Sequence, residues 1–565
     1  MEREVYEFIT AQTGEKIVER RKCSNCGQEF AITDKDLEFY SKISPVFNSI
    51  KYKIPAPTLC PDCRQQRRLA RRNERKLYKR KCDLTGKTII SIYSPDSPYK
   101  VYESKEWRGD NRDSMDYSRD FDFARPFFQQ FDELLKIIPR ISLYGNNNEN
   151  SDYSNDATNN KNCYLIFASD YNEDCMYSQV QNCKSSIDCF ECDYLTESYE
   201  CINCNNWMNL SYCVNCIDCR DSSCLSNCNW CQYCYHCSNL SNKKYYINNQ
   251  EYDKESYFEE LKNKKDSWNL NIEKNLYINK SENSIWNYIF NSKNVFYWFN
   301  VGNAEDVRYV FYGSMWVKDC MDTSMASLNA SKCYNAQTCL ENCYNIISCS
   351  FCNYISDAYY CESCINCKNI FGCVWLRNKQ YCIFNKQYTK EEYEILVPKI
   401  IEHMKITWER WEFFPASISP FGYNETSANE YYPMDKDEAQ KQWYKRQNKE
   451  YPINVPEWIK LIRAQDLPED INDVDDEILK KAVICEISWK PFRIVKAELD
   501  FYRKHNLPLP RKHPDVRHLE RIQNRWGRKL HLKKCDNCNK KIITIYPEKC
   551  EFKVYCEDCY NKQTY

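Results

Sequence analysis

Four Cys-x-x-Cys pairs are the side chains in this sequence best suited to chemistry. Cys23-Ser-Asn-Cys26 and Cys60-Pro-Asp-Cys63 have 33 residues between them, and Cys535-Asp-Asn-Cys538 and Cys556-Glu-Asp-Cys559 have 17. Two pairs at such separations read as tetrahedral zinc held by four cysteines, since each pair wraps one side of the ion while the segment between folds back. The expected metal ligands are therefore Cys23, Cys26, Cys60 and Cys63 at one end and Cys535, Cys538, Cys556 and Cys559 at the other, holding two zinc ions. A metal-free redox pair is the competing reading. After Cys63 the run RQQRRLARRNERKLYKRK has no Pro or Gly, so that pair is expected at a helix start, as in a treble clef. The C-terminal pairs flank two alternating, strand-like runs, KKIITIYPEKCEFKVY, as in a zinc ribbon.

The arginines suggest a second chemistry. Residues 64 to 81 hold ten basic side chains and one acid, and on a helix Arg64, Arg68, Arg72 and Arg67, Arg71, Arg75 recur every four residues. Residues 503 to 534 hold eleven bases and two acids, among them Arg517, Arg521, Arg525 and Arg528, with His505, His513, His518 and His531 close by. Broad cationic faces suit phosphate contact, so nucleic acid is the first expected partner, with RNA slightly preferred because tyrosines and tryptophans can stack bases. The alternatives are that these arginines bind acidic parts of the same chain or a partner protein, or that they are only solvated.

What must position these groups is a duplicated module at each end. Residues 81–107 align without a gap on 534–560 at an offset of 453, with 11 identities in 27, and the ligand positions of the later copy fall on Cys82, Thr85, Glu103 and Glu106. At the same offset Cys60 and Cys63 fall on His513 and Val516. At an offset of 462, Cys23 and Cys26 fall on Cys485 and Ser488. Each end thus carries a treble-clef-like half followed by a ribbon half, and the metal set is expected to survive only in the first half of one and the second half of the other. Cys485 and His513 supply two ligands of four, for which ordinary packing is the expected role.

Between the modules, residues 163 to 382 contain 26 of the 37 cysteines at a period of twelve: Cys192, Cys204, Cys216, Cys228, and again Cys349, Cys361, Cys373. A short fixed period rich in Asn, Tyr and Ile implies a coil of short parallel strands, a β-helix-like solenoid. A second duplication at an offset of 136, with a helical tail after each copy, suggests two lobes, or one solenoid interrupted by a helix. The solenoid cysteines read chiefly as small hydrophobes in a narrow core. Additional metal and stacked disulfides are the other two readings.

The fold class expected is mixed: a central parallel β-solenoid of roughly twelve-residue repeats, flanked by duplicated α+β treble-clef and zinc-ribbon modules. The expected divisions are 1–110 for the first module, 111–160 for a docking helix and Asn-rich entrance, and 161–262 and 263–404 for the solenoid lobes. An irregular acidic connector, 405–480, and the second module, 481–565, follow. Among 565 residues, 79 basic and 80 acidic side chains nearly cancel, and no apolar run of membrane-spanning length or signal-like start occurs. The expected setting is a cytoplasm, without membrane contact. Neither 108–160 nor 411–460 contains a phosphate-binding Gly loop, a nucleophile elbow or an HExxH helix, and no catalytic residue is assigned. The histidine cluster leaves a metal-dependent nuclease as a further alternative to a nucleic-acid binder or a scaffold that contacts proteins or itself.

Taken together, CPDCRQQRRLARRNERKLYKRKCDLTGK, FDFARPFF, NKNCY and CDNCNKKIITIYPEKCEFKVYCEDC resemble a family of large cysteine-rich, zinc-ribbon-containing proteins of candidate-phylum bacteria. The resemblance implies bound zinc and a cytoplasmic bacterial setting, and it carries no activity. Thr85, Glu103 and Glu106 depart from an intact ribbon.

Overall fold

The computed structural model describes every residue except 1–2, 111, 263–271, 298–300, 314–316, 327–333, 335–336, 341–345, 452–454, 525–528 and 565. Arg525, Arg528, Cys333 and Cys343 therefore lie outside the described residues. The chain forms two compact units. One comprises Met1–Ser142, Ile272–Gln447 and Arg528–Tyr560, and the other Leu143–Asn271, Asn448–Gly527 and Asn561–Tyr565. Each unit holds one lobe of parallel β-solenoid and a treble-clef-like half.

In the second unit the lobe is a ladder of ten strands in sequence order. Its parallel register advances by twelve over most turns, where Asp193 pairs Asn205, Met208 pairs Arg220 and Gln232 pairs Lys244, and by eleven where Asp170 pairs Gln181. The lobe in the first unit follows the same rule, with Asn353 on Ile365 and Lys368 on Gln380, and steps of thirteen at Glu305 to Lys318 and Gln337 to Ser350. Both ladders end in an antiparallel hairpin, Tyr246 on Glu251 and Cys382 on Gln387. A helix follows each hairpin, Lys254–Leu261 and Lys390–Ile406. The hairpin pairs Tyr246 and Ile247 in one ladder and Cys382 and Ile383 in the other, covering part of the hydrogen-bonding edge that an open solenoid would leave unpaired.

A turn of twelve residues must bend often, and the backbone does so by placing every third residue in the left-handed region, as at Asn203, Asn206, Asn209, Tyr212, Asn215 and Asp218. Asn and Asp enter this region at lower cost than other non-glycine residues. The chain therefore makes dozens of corners with only 10 glycines. Corner side chains also bond along the stack, as in Asn150 to Asn162 to Asp174 and Asn283 to Asn294 to Asp306.

The residue after most of these corners points inward, and here the cysteines collect. Of the three amides in a step, one reaches a carbonyl of the following turn (Lys184 to Leu195) and the next a carbonyl of the preceding turn (Ser185 to Glu173). The third belongs to the inward residue and meets the side chain stacked one turn earlier: Cys228 N–H donates to Cys216 Sγ (3.3 Å), Cys231 N–H to Cys219 Sγ (3.2 Å) and Cys189 N–H to Ser178 Oγ (3.0 Å). Cys192 Sγ in turn donates to the carbonyls of Phe190 and Cys201 at 3.3 Å. Cysteine is apolar enough for a narrow core, yet its sulfur lone pair accepts amides that would otherwise be buried unpaired, and its proton goes to a carbonyl. The cysteines whose side chains are described form no disulfides.

Candidate metal centres and arginine contacts

Cys23 follows the strand Ile17–Lys22, and the knuckle turns back into Glu29–Thr33. Cys23 N–H bonds to Gln28 O, Gly27 N–H bonds to Cys23 O, and Gly27 holds φ +71°. Cys60 is the N-cap of the helix Pro61–Leu69, and its Sγ accepts the Cys63 amide at 3.5 Å. The four sulfurs lie within 4.8 Å of one another. Zinc–sulfur bonds of about 2.3 Å at tetrahedral angles require sulfur–sulfur edges of about 3.8 Å; Cys26 and Cys60 stand 3.8 Å apart. Asn25 Nδ2 donates to Cys63 Sγ at 3.5 Å. Hydrogen bonds from Cys60 and Cys63 hold the Cys23 thiol far below its ordinary range, while the bond to Cys23 pushes Cys60 up to about 12. Such a set gives up its protons together when a cation binds.

The second centre repeats the plan. Cys535 and Cys538 lie between the strands His531–Lys534 and Lys541–Thr544, with Asn539 at φ +60° where the first knuckle has glycine. Cys556 and Cys559 stand at the start of the helix Glu557–Thr564. The second pair therefore closes on a helix, as in a treble clef. Cys538 and Cys556 sulfurs are 3.7 Å apart, and all four ligand atoms again lie within 4.8 Å. Burial alone would raise the Cys535 thiol, but the amides of Cys538 and Cys556 outweigh it and bring it down to about 6. The two four-cysteine sets suit two zinc ions, and among the described residues they are the clusters able to hold a metal.

The degenerate halves keep the same skeleton with one cysteine each, Cys82 and Cys485, in place of four. Cys82 Sγ accepts the Glu103 amide at 3.3 Å where Cys535 Sγ accepts that of Cys556 at 3.2 Å. Asp83 accepts the Val101 amide where Asp536 accepts that of Val554. Cys485 Sγ accepts the Ser488 amide at 3.4 Å, and His513 Nδ1 accepts that of Asp515 at 3.1 Å, capping the helix Pro514–Asn524. His518 is buried with its ring against Phe190.

The helix after Cys60 does not offer the open cationic face its sequence suggests. Arg64, Arg68, Arg71 and Arg72 are each at most 3% exposed. Arg64 Nε donates to Asp322 Oδ1 at 2.8 Å with its guanidinium 4.9 Å from the Tyr309 ring centre. Arg68 lies 3.6 Å from the same carboxylate and donates to Tyr309 O at 3.3 Å. Arg71 pairs with Glu362 at 2.6 Å and covers the Phe414 ring, while Arg72 pairs with Glu74. Arg67 is partly exposed against Glu412, and Arg75 is half-buried. Burial works against the Arg64 charge, but Asp322 and neighbouring tyrosines outweigh it and raise its pKa; burial lowers Arg68, which shares that one carboxylate, to about 10.

The second unit contains the same clamp. Arg517, which aligns with Arg64, pairs with Asp188 and lies 4.7 Å from the Tyr177 ring centre. Arg521, which aligns with Arg68, is 2.9 Å from Asp188 and donates to Tyr177 O at 3.2 Å. Tyr309 Oη donates to Asp36, and Tyr177 Oη donates to Glu498, the aligned residue. The receptors Asp322, Asp188, Tyr309 and Tyr177 were not singled out from the sequence. The one signal pointing to them is that Arg64 and Arg68 keep their counterparts where three of four cysteines are replaced.

Residues 19–72 match a family model described as "Probable treble clef domain". No curated protein matches the chain. No helix among the described residues is long and apolar enough to cross a membrane.

Proposed function

We propose that this protein is a non-enzymatic, zinc-stabilised scaffold in a reducing cytoplasm, whose basic modules fasten onto its own solenoid lobes and whose solenoid surface is what it offers to partners. The carrying observation is the twice-built clamp. Two arginines of a treble-clef-like half meet one buried aspartate of the lobe, one of them covering the ring of a tyrosine and the other bonding that tyrosine's carbonyl, in a copy that keeps its four zinc ligands and in one that has lost three of them. Retention of the clamp without the ligands fits a docking role for the arginines. The zinc of the first centre then fixes the local shape that aims the helix Pro61–Leu69, as structural four-cysteine sites do. Arginines this deeply paired reach a phosphate only by leaving their carboxylates, which makes nucleic acid the less favoured partner. The test is an electrophoretic titration with RNA and DNA at low salt. The scaffold reading expects no salt-sensitive binding that depends on Arg64, Arg68, Arg517 or Arg521. Tight binding abolished by Arg64→Met and Arg517→Met, in variants that keep two zinc ions, overturns it.

A further inference from the structure

One edge of the lobe in the second unit carries large aromatic rings in water. In the ladder, Asp170 stacks on Gln181, then Asp193, Asn205, Ile217 and Asn229. The next residue in each turn is a left-handed corner, so Tyr171, Asn182, Tyr194, Asn206, Asp218 and Trp230 form one outward column. Tyr171 is 64% exposed, Tyr194 51% and Trp230 59%. With strands about 4.8 Å apart, the rings recur about 10 Å and then about 14 Å along a straight edge. Amide and carboxylate side chains fill the turns between them.

Rings left in water at set intervals, with hydrogen-bonding groups between, are a platform for a ligand that is both flat-faced and rich in hydroxyls. Nucleic acid also has flat faces, but its charge is wrong here: residues 143 to 251 contain fourteen acidic and five basic side chains, and an acidic excess remains after Asp188, Glu197 and Glu200 are paired with Arg517, Lys504 and Arg521 of the same unit. That excess repels a polyanion and tolerates an uncharged chain. We infer that this edge binds an extended, uncharged polysaccharide, its pyranose faces lying on Tyr171, Tyr194 and Trp230 and its hydroxyls meeting Asn182, Asn206 and Asp218. This rests on the scaffold reading in that the edge is part of the free solenoid surface.

The test is affinity electrophoresis of the full-length protein through gels containing a soluble β-glucan, a xylan or a glucomannan, with RNA in a parallel gel. Retardation by at least one neutral polysaccharide is expected, each of Tyr171→Ala, Tyr194→Ala and Trp230→Ala weakening it roughly three- to tenfold. The triple variant should run as in an empty gel while keeping two zinc ions. Replacing all three by Phe should restore retardation, which separates lost stacking from lost folding. No retardation by any neutral polysaccharide, retardation that the triple Ala variant keeps, or RNA retention through the same rings would each overturn the inference. None of these outcomes alters the burial of Arg64 and Arg517, so the scaffold reading stands or falls separately.

Discussion

Replacing Asp322 by Asn should release the helix Pro61–Leu69 from the solenoid lobe beneath it. Asp322 is fully buried and takes Arg64 at 2.8 Å, Arg68 at 3.6 Å and the Tyr40 hydroxyl at 3.1 Å. Asn keeps the shape and one acceptor but leaves two buried guanidinium groups without a countercharge. Breaking a buried ion pair from one side costs about 3–5 kcal/mol, and at 1.4 kcal/mol per tenfold this is about two to three and a half orders of magnitude in a local opening equilibrium. Native-state hydrogen exchange read by peptide mass spectrometry should show faster exchange by that factor in peptides covering 61–69. Glu412→Gln is the control: its partner Arg67 and Glu412 itself are both partly exposed, so about 1 kcal/mol or less is at stake. Removing both sides, with Asp322→Leu, Arg64→Met and Arg68→Leu, should restore much of the protection, since a packed apolar replacement of a buried ion pair is often neutral. If Asp322→Asn changes exchange in 61–69 no more than Glu412→Gln does, the clamp is not what holds the helix.

Three further outcomes are expected. Elemental analysis should find two zinc ions per chain, one after Cys23→Ser, and still two after Cys485→Ser. In the solenoid, Cys216→Ala should destabilise by about 1–3 kcal/mol more than Cys216→Ser by denaturant unfolding, because only Ser still accepts the Cys228 amide; a simple hydrophobic slot would give the opposite order. Burial raises Glu200 to about 7 despite Arg521, which is shared with Asp188. Its folded pKa thus lies above its unfolded one. The stabilising contribution is full below about 4.5 and is lost as pH rises through about 7. Thermal melts across that window should lose part of their slope in Glu200→Gln, and an unchanged slope would refute the assignment.

The metal sets and the solenoid were readable because each depends on spacing along the chain. Cys-x-x-Cys at a knuckle and a twelve-residue period are local facts that survive without tertiary context. The clamp was not readable. Asp188 and Asp322 sit at corners where Asn, Asp and Tyr recur for backbone reasons, so nothing marks these two as receptors. Their tyrosines stand 11 and 13 residues earlier, Tyr177 and Tyr309, which makes no fixed motif. The arginine face misled for a related reason: helical periodicity shows which side chains share a face, and it is silent on whether that face meets water or a carboxylate. The left-handed knuckle residue was hidden too, since Gly27, Gly86, Asn539 and Trp489 fill it in the four halves with φ between +59° and +71°.

Arginine-specific labelling decides whether the basic modules are turned inward onto the lobes. Native protein treated with phenylglyoxal and read by peptide mass spectrometry should show Arg3, with a side chain 68% exposed, reacting readily. Arg64, Arg68, Arg71, Arg517 and Arg521 should stay unmodified until the protein is unfolded. If those five react as fast as Arg3 in the native state and are shielded only when RNA is added, the arginines face solvent and the account is wrong.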